Sequence, residues 1–104
     1  MTTNRSTTPA PAAIGVTAQL SLYPLGQADL APAIEAALAA LRAHGLPVQV
    51  GAMSTMTWGE DTVVFAALRD AFASAATHGG AVLQVTVSNA CPLPAPSQMG
   101  AHHV

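Results

Sequence analysis

The chain has 104 residues, of which 51% are hydrophobic and 8% are charged, and its formal net charge is −2. It contains no lysine and only three arginines, too few for the clustered basic surface that nucleic acid requires. No apolar run approaches the ~18–20 residues of a membrane span, and the single cysteine, Cys91, leaves neither an internal disulfide nor a cysteine metal pair. We therefore expect a cytoplasmic protein without a metal, a nucleic-acid partner or a membrane span. Because so few charges are available to solvate a small domain, we also expect a homo-oligomer.

Both ends of the chain differ in composition from its middle. The opening "MTTNRSTTPAPAA" is rich in Thr, Pro and Ala, and the closing segment after Pro92 is similar. Neither segment shows the apolar periodicity of a helix or a strand. We predict flexible tails over residues 1–13 and 93–104 and one folded domain over residues 14–92.

The first half of the domain reads as a strand followed by a helix. "VTAQLSLYPLG" alternates, with Val16, Ala18, Leu20 and Leu22 on one side. The stretch "LAPAIEAALAALRAHG" then repeats apolar residues at helical spacing; they are Leu30, Ile34, Ala37, Leu38 and Leu41. Asp29 is the expected N-cap and Gly45 the expected residue after the helix C-terminus.

The second half repeats this pattern with one more strand. Val48 and Val50 alternate with Gln49, and "STMTW" predicts a further strand with Met56 and Trp58 inward. "TVVFAALRDAFASAATHG" predicts a helix whose core stripe is Phe65, Leu68, Phe72 and Ala75, with Val64 beside them. "AVLQVTVSN" predicts the last strand. The order βαββαβ predicts a ferredoxin-like α/β sandwich, a four-stranded antiparallel sheet with two helices on one face.

The outward sides of these strands carry no group that ionises near neutral pH. The predicted outward residues are Thr17, Gln19, Ser21, Tyr23, Gln49, Thr55, Thr57, Gln84, Thr86 and Ser88. Three interpretations stay open for this face. It is a solvated surface rich in threonine, a polar subunit interface, or a small-molecule site whose groups donate and accept hydrogen bonds without a net charge. Neutral hydroxyls and amides suit an aminopyrimidine better than a phosphate.

Three segments in order carry a resemblance to a known family. They are "SLYPLG", "VGAMSTMTWGE" and "VTVSNACP", and together they span about Val16 to Pro92. The chain resembles the YkoF-like thiamine-binding family. The resemblance implies a ferredoxin-like fold, homodimers or homotetramers built through the sheets, and binding of thiamine or its hydroxymethylpyrimidine precursor without catalysis or cofactor. It also implies a role in thiamine uptake or salvage, with a transporter component as a further partner.

The same resemblance indicates the site residues. It places Ser21 and Tyr23 of the first segment, Thr55 and Glu60 of the second, and Ser88 and Asn89 of the third at the ligand, with no catalytic or metal-binding residue. Where such proteins often have an acidic or small residue before the glycine, this chain has Trp58, which either stacks on a ring of the ligand or leaves Glu60 to attract a cationic thiazolium. The alternative function is a structural or regulatory self-assembling module with no small-molecule ligand.

Overall fold

The computed structural model describes residues 12–90. The elements are β1 (Gly15–Pro24), α1 (Ala31–Ala43), β2 (Val48–Val50), β3 (Thr55–Glu60), α2 (Asp61–Ala76) and β4 (Ala81–Ser88). The predicted βαββαβ order is therefore confirmed. Cys91, His102 and His103 and most of the two predicted tails lie outside the described residues.

The four strands form one antiparallel sheet in the order β2-β3-β1-β4. β1 lies in the middle, and its two neighbours cover it unequally. β3 pairs with β1 from Gly15 to Leu20, whereas β4 pairs with it from Thr17 to Pro24. The last four residues of β1 thus have a neighbouring strand on one side only.

Both helices cover one face of the sheet, and small side chains let them approach closely. The buried residues of the two helices are Ala33, Ala37, Leu41, Val64, Ala67, Leu68, Ala71 and Ala75. They pack on Val16, Ala18 and Leu20 of β1. Five of these eight helical residues are alanines, so the helix layer lies near the sheet and near its neighbouring helix.

The predicted helix stripes are partly wrong. Phe65 and Phe72 are 54% and 41% exposed, and Leu30 and Ile34 are also exposed. The hydrophobic pattern favours large residues for the core, but the close packing of the alanines leaves no room for phenylalanine between helix and sheet. The two phenylalanines therefore lie on the flank of α2.

The predicted orientation of β3 is also wrong. Thr55 pairs with Leu20 and Thr57 with Ala18, so both threonines face the helices. Thr57 is fully buried, and its hydroxyl donates a 2.7 Å hydrogen bond to the carbonyl oxygen of Pro47. That bond satisfies a hydroxyl that would otherwise be costly to bury. Met56 and Trp58 accordingly lie on the open face.

Glycines with positive φ and one carboxylate contact mark the places where the helices begin and end. Gly45 ends α1 with φ +76°, as predicted, because this conformation is easily reached only without a Cβ atom. The backbone N–H of Ala31 donates to the Asp29 carboxylate at 3.1 Å, although the N-cap position itself is Leu30. Gly59, the last residue but one of β3, has φ +156°, and a Cβ atom there would lie 2.8 Å from Leu46 Cδ2.

One polar contact joins the two helices. His44 Nε2, just after α1, lies 2.8 Å from Asp70 Oδ2, and Arg69 donates to Asp70 Oδ1 at 2.9 Å. The hydrogen bond to His44, and then that to Arg69, lowers the pKa of Asp70 below its ordinary value. This contact lies on the side of α2 that faces α1.

Candidate ligand-binding cleft

A cleft of about 270 Å³ opens beside β1 where its pairing with β3 stops, at Thr55, the first residue of β3. Since β3 reaches only to the level of Leu20, the residues from Ser21 onward border a gap instead of a strand on that side. In an antiparallel ladder every second residue directs its N–H and C=O toward each neighbour. The edge of β1 therefore presents backbone donors and acceptors to the cleft.

The segment from Gly51 to Ser54, which joins β2 to β3, forms the opposite wall. It is held in place by three hydrogen bonds. Gly51 N donates to Ser54 O at 2.8 Å and closes the turn. Gln19 Nε2 donates to Ser54 Oγ at 2.8 Å, and Ser21 Oγ donates to the Met53 carbonyl at 3.4 Å.

The remaining lining is apolar and uncharged. The lining residues are Leu20, Ser21, Leu22, Tyr23, Ile34, Ala37, Leu38, Val50, Gly51, Ala52, Met53, Ser54 and Thr55. None of them carries a charge. Ile34, Ala37 and Leu38 of α1 give one apolar wall, and the half-exposed ring of Tyr23 borders the cleft. Such a lining combines an apolar surface for a flat ring with a few polar groups that can orient it.

The predicted site residues divide into two groups. Ser21, Tyr23 and Thr55 line the cleft, Thr55 from the helix side of the sheet. Ser88 pairs with Thr17 at the other end of β1, four residues and therefore about 13 Å from Ser21 along the strand. Ser88, Glu60 and Asn89 form the second group, and the structure does not bring them to the cleft.

The other two members of the second group lie at that same end. Glu60 pairs with Gly15, ends β3 and accepts a 3.2 Å hydrogen bond from the Thr62 hydroxyl. Asn89 is exposed and follows Ser88.

The paired positions of the open face are uncharged, as predicted, except for Glu60, which pairs with Gly15, and the other members of the face differ from the prediction. Strand pairing places there Thr17, Gln19, Ser21, Tyr23, Gln49, Met56, Trp58, Val82, Gln84, Thr86 and Ser88. Met56 and Trp58 thus lie on the open face where Thr55 and Thr57 were predicted, and Val82 lies there as well. The face is consequently more apolar than the sequence pattern indicates.

The structure adds three residues to the site that the sequence interpretation missed. Gln19 and Ser54 meet across the end of β3, and Met53 supplies a backbone carbonyl to Ser21. All three depend on the turn from Gly51 to Ser54, whose glycine was the only available sequence signal. How that turn folds back on β1 is decided by the sheet register.

Within residues 12–90, no group of three or more His, Cys, Asp or Glu side chains is placed to hold a metal ion. Among the helices of the same part, none is both long enough and apolar enough to cross a membrane.

The strand order and the single helix layer define a ferredoxin-like α+β protein, and known structures share this fold. A hypothetical protein from Methanocaldococcus jannascii superposes with a TM-score of 0.70 at 19% identity, over 86% of this chain and 94% of its own. A domain of unknown function from Bacillus cereus superposes with a TM-score of 0.69 at 18% identity, over 83% and 88%.

A third structure, from Thermotoga maritima, is provisionally assigned to thiamine biosynthesis or salvage. It superposes with a TM-score of 0.70 at 16% identity, over 86% of this chain and 99% of its own. A search of the curated proteins found no match. The YKOF-related family matches residues 15–94, and the chain belongs to this family.

Proposed function

We propose that this protein binds thiamine or its hydroxymethylpyrimidine precursor in the cleft beside β1 and performs no chemistry on it. Membership of the YKOF-related family and the fold shared with the Thermotoga protein both favour a thiamine-related ligand. The cleft volume of about 270 Å³ lies just below the ~300–1,000 Å³ common for drug-sized ligands, which suits a small ring compound.

The observation that carries the proposal is that two serine hydroxyls are left with opposite hydrogen-bonding roles, one as a donor and one as an acceptor. Ser54 Oγ accepts a hydrogen bond from the Gln19 amide, so its own O–H remains available as a donor. Ser21 donates its O–H to the Met53 carbonyl, so its oxygen remains available as an acceptor. One cleft therefore offers a neutral donor and a neutral acceptor.

An aminopyrimidine edge has the matching pair of groups. Its ring nitrogen accepts a hydrogen bond, and its exocyclic amine donates one. In the proposed complex Ser54 donates to the ring nitrogen and Ser21 accepts from the amine, while Leu38 and Ile34 contact the ring. For thiamine, the Tyr23 ring is available to the cationic thiazolium through a cation–π contact.

The uncharged lining also sets the preference among thiamine derivatives. A phosphate group is bound by Arg, Lys or an array of backbone N–H groups, and no charged residue lines the cleft. We expect thiamine phosphates to bind no more tightly than thiamine. In the cell, the protein would carry or buffer its ligand in the cytoplasm as a homodimer or homotetramer and deliver it in thiamine uptake or salvage, with a transporter component as one recipient.

Calorimetric titration of the full chain with hydroxymethylpyrimidine tests the proposal. Ser21→Ala and Ser54→Ala should each weaken binding by about 2- to 13-fold, the usual value of one hydrogen bond. Ser88→Ala is the matched control, since it removes a hydroxyl from the same sheet about 13 Å away, and should leave affinity unchanged. Equal affinity in all three variants would contradict the proposed site.

A second variant tests whether the Ser54 hydroxyl donates a hydrogen bond to the ligand. In Gln19→Glu the side chain at position 19 can only accept, so the Ser54 hydroxyl turns toward it and no longer donates to the ligand. Affinity should fall about as far as in Ser54→Ala. If Gln19→Glu instead binds as wild type does, the Ser54 hydroxyl is not the donor.

One observation favours the second candidate function, a self-assembling module without a ligand. The open face carries Met56, Trp58 and Val82 among neutral polar groups, a composition suited to contact with another protein. Thermal unfolding separates the two functions. A bound ligand at ~100 times its dissociation constant raises the free energy of unfolding by ~2.7 kcal/mol. No shift with thiamine or with hydroxymethylpyrimidine would favour assembly alone.

A further inference from the structure

Hydrogen bonds at the two ends of β1 show in which direction each of its peptide groups points. The N–H of Asp61 donates to the Ile14 carbonyl oxygen on the β3 side, and the N–H of Leu25 donates to the Gly80 carbonyl oxygen on the β4 side. Both pairs continue the registers of the two ladders. Because residues of an antiparallel ladder alternate between their neighbours, the even-numbered residues of β1 direct their N–H and C=O toward β3. The odd-numbered residues direct theirs toward β4.

This alternation leaves the N–H and C=O of Leu22 facing the cleft. Leu20 is the last even-numbered residue of β1 with a partner in β3, and that partner is Thr55. The same register would bring Met53 opposite Leu22, but the chain turns away there, and the Met53 carbonyl accepts a side-chain hydroxyl instead. In the described part of the chain, no hydrogen bond from the turn between β2 and β3 reaches Leu22. The cleft wall therefore holds one backbone donor and one backbone acceptor on a single residue.

The free stretch of backbone is one residue long, and this length limits what can pair with it. On one side the peptide groups of Leu20 are taken by β3, and on the other side Pro24 has no N–H to donate. An added peptide strand needs a row of donors and acceptors, and proline prevents such pairing at a sheet edge. A small planar molecule needs only one pair. The occupant that fits is a ring with one acceptor and one donor side by side.

On the basis of the proposed binding function, we propose that the main chain of Leu22 recognises the amino-substituted edge of the pyrimidine and determines the specificity for it. The Leu22 N–H donates to the ring nitrogen beside the amine, and the Leu22 C=O accepts one amine hydrogen. An aminopyrimidine has a second ring nitrogen and a second amine hydrogen. These two bonds therefore add to those with Ser54 and Ser21.

β4 holds Leu22 in place without using these two groups. Ser21 and Tyr23, on either side of Leu22, are odd-numbered and direct their peptide groups to β4. Leu22 lies opposite Leu83 in a pair that exchanges no hydrogen bond. The donor and the acceptor are thus positioned before the ligand arrives, so little conformational freedom is lost when it binds.

Leu22 differs from the two serines because its hydrogen-bonding roles cannot change. A serine hydroxyl rotates and can donate or accept as the ligand requires, whereas a peptide N–H only donates and a peptide C=O only accepts. In the oxo analogue of the ligand, a carbonyl oxygen replaces the amine and the adjacent ring nitrogen carries a hydrogen. Oxygen would then face oxygen at Leu22, and N–H would face N–H. Turning the ring over to correct this order would break its bond with Ser54.

The first test is calorimetric titration of the full chain with both compounds. Hydroxymethylpyrimidine should bind at least ~10-fold more tightly than its oxo analogue, because the analogue leaves two fixed backbone groups unsatisfied. Ser21→Ala should weaken the binding of both compounds and keep their affinity ratio, since the serine hydroxyl adapts to either. Ser88→Ala, about 13 Å away along the sheet, is the control and should change neither affinity. A ratio that falls to about 1 in Ser21→Ala would assign the discrimination to the serine and overturn the role of Leu22.

Amide hydrogen exchange followed by NMR observes Leu22 directly and needs no variant. With hydroxymethylpyrimidine at ~100 times its dissociation constant, the Leu22 amide should exchange ~100-fold more slowly, because a bonded amide exchanges only from the unbound form. Its proton should also move to higher chemical shift, as a new hydrogen bond requires. The amide of Asn89, an exposed residue at the other end of the sheet, is the control and should exchange at the same rate with and without ligand.

Separate outcomes overturn the binding function and the role of Leu22. If neither calorimetry nor NMR detects binding of hydroxymethylpyrimidine, both are overturned. If the compound binds but the exchange and the chemical shift of the Leu22 amide stay unchanged, the role of Leu22 alone is overturned. Equal affinity of the wild type for the two compounds would have the same consequence.

Discussion

The two ends of β1 differ in the number of strands beside them. At Thr17, β1 has β3 on one side and β4 on the other, and the cross-strand row Trp58–Thr17–Ser88 is continuous. At Tyr23, only β4 remains, and the other side of β1 borders the cleft. The same strand is thus part of a complete sheet at one end and the wall of an opening at the other.

This difference assigns separate tasks to the two ends. A complete sheet satisfies its own backbone groups and contributes to stability, but it leaves few of them for a ligand. An interrupted sheet leaves donors and acceptors exposed beside an apolar helix, which is the combination that small-molecule sites use. Changes at the complete end should therefore alter stability, and changes at the cleft should alter binding.

The largest expected effect tests the complete end. Gly59→Ala places a Cβ atom 2.8 Å from Leu46 Cδ2 at φ +156°, and we expect it to lower the free energy of unfolding by about 2–3 kcal/mol. Gly26→Ala, also at positive φ but with open space around it, should cost only about 1 kcal/mol. Urea denaturation measures both, and equal losses would show that neither the φ of Gly59 nor crowding at Leu46 adds to the cost of a Cβ atom there.

A smaller effect sharpens the comparison at the cleft. In Gly51→Ala the new Cβ atom would lie 3.0 Å from Ser54 O and would loosen the turn that positions Ser54. We expect a loss of about fivefold in affinity for hydroxymethylpyrimidine, near the value of one weakened hydrogen bond, with little change in melting temperature. Gly80→Ala, whose nearest contact is an ordinary 3.7 Å, is the control. A loss of stability without a loss of affinity would argue against separate tasks.

The smallest expected effect concerns Asp70 on α2, which belongs to neither end of β1. The pKa of Asp70 is lower in the folded chain than its ordinary value of 3.8. Its contacts with His44 and Arg69 therefore stabilise the fold at pH values above 3.8. That contribution is lost as the pH falls through the folded pKa. Asp70→Asn should therefore melt slightly below wild type near pH 6 and converge with it at low pH. Glu35→Gln on α1 is the control, and a difference that persists in acid would refute this linkage.

The sequence predicted the element order and the fold because local signals agree with the tertiary structure along most of the chain. The alternation in β1 and β4 and the glycine after α1 each specify one answer. Part of the lining of the candidate cleft was also predictable, since Ser21, Tyr23 and Thr55 border it. Gln19 and Ser54 were missed because they meet through a turn whose path depends on the sheet register.

The errors have a common cause, namely patterns compatible with two arrangements. In "STMTW" both alternating sets favour a strand, and only the pairing of Thr57 with Ala18, with the Pro47 carbonyl as hydroxyl partner, turns the threonines inward. In α2 either flank could have faced the sheet. Alanine packing against α1 decided it and left Phe65 and Phe72 exposed.

The sequence by itself determined the kinds and order of the elements and the scarcity of charge on the open face, because these depend on periodicity and composition. Only the tertiary structure decided where β3 stops along β1, which residues border the resulting gap, and which apolar side chains stay uncovered. Those features depend on register and close packing between segments distant in the chain, and no local pattern encodes them.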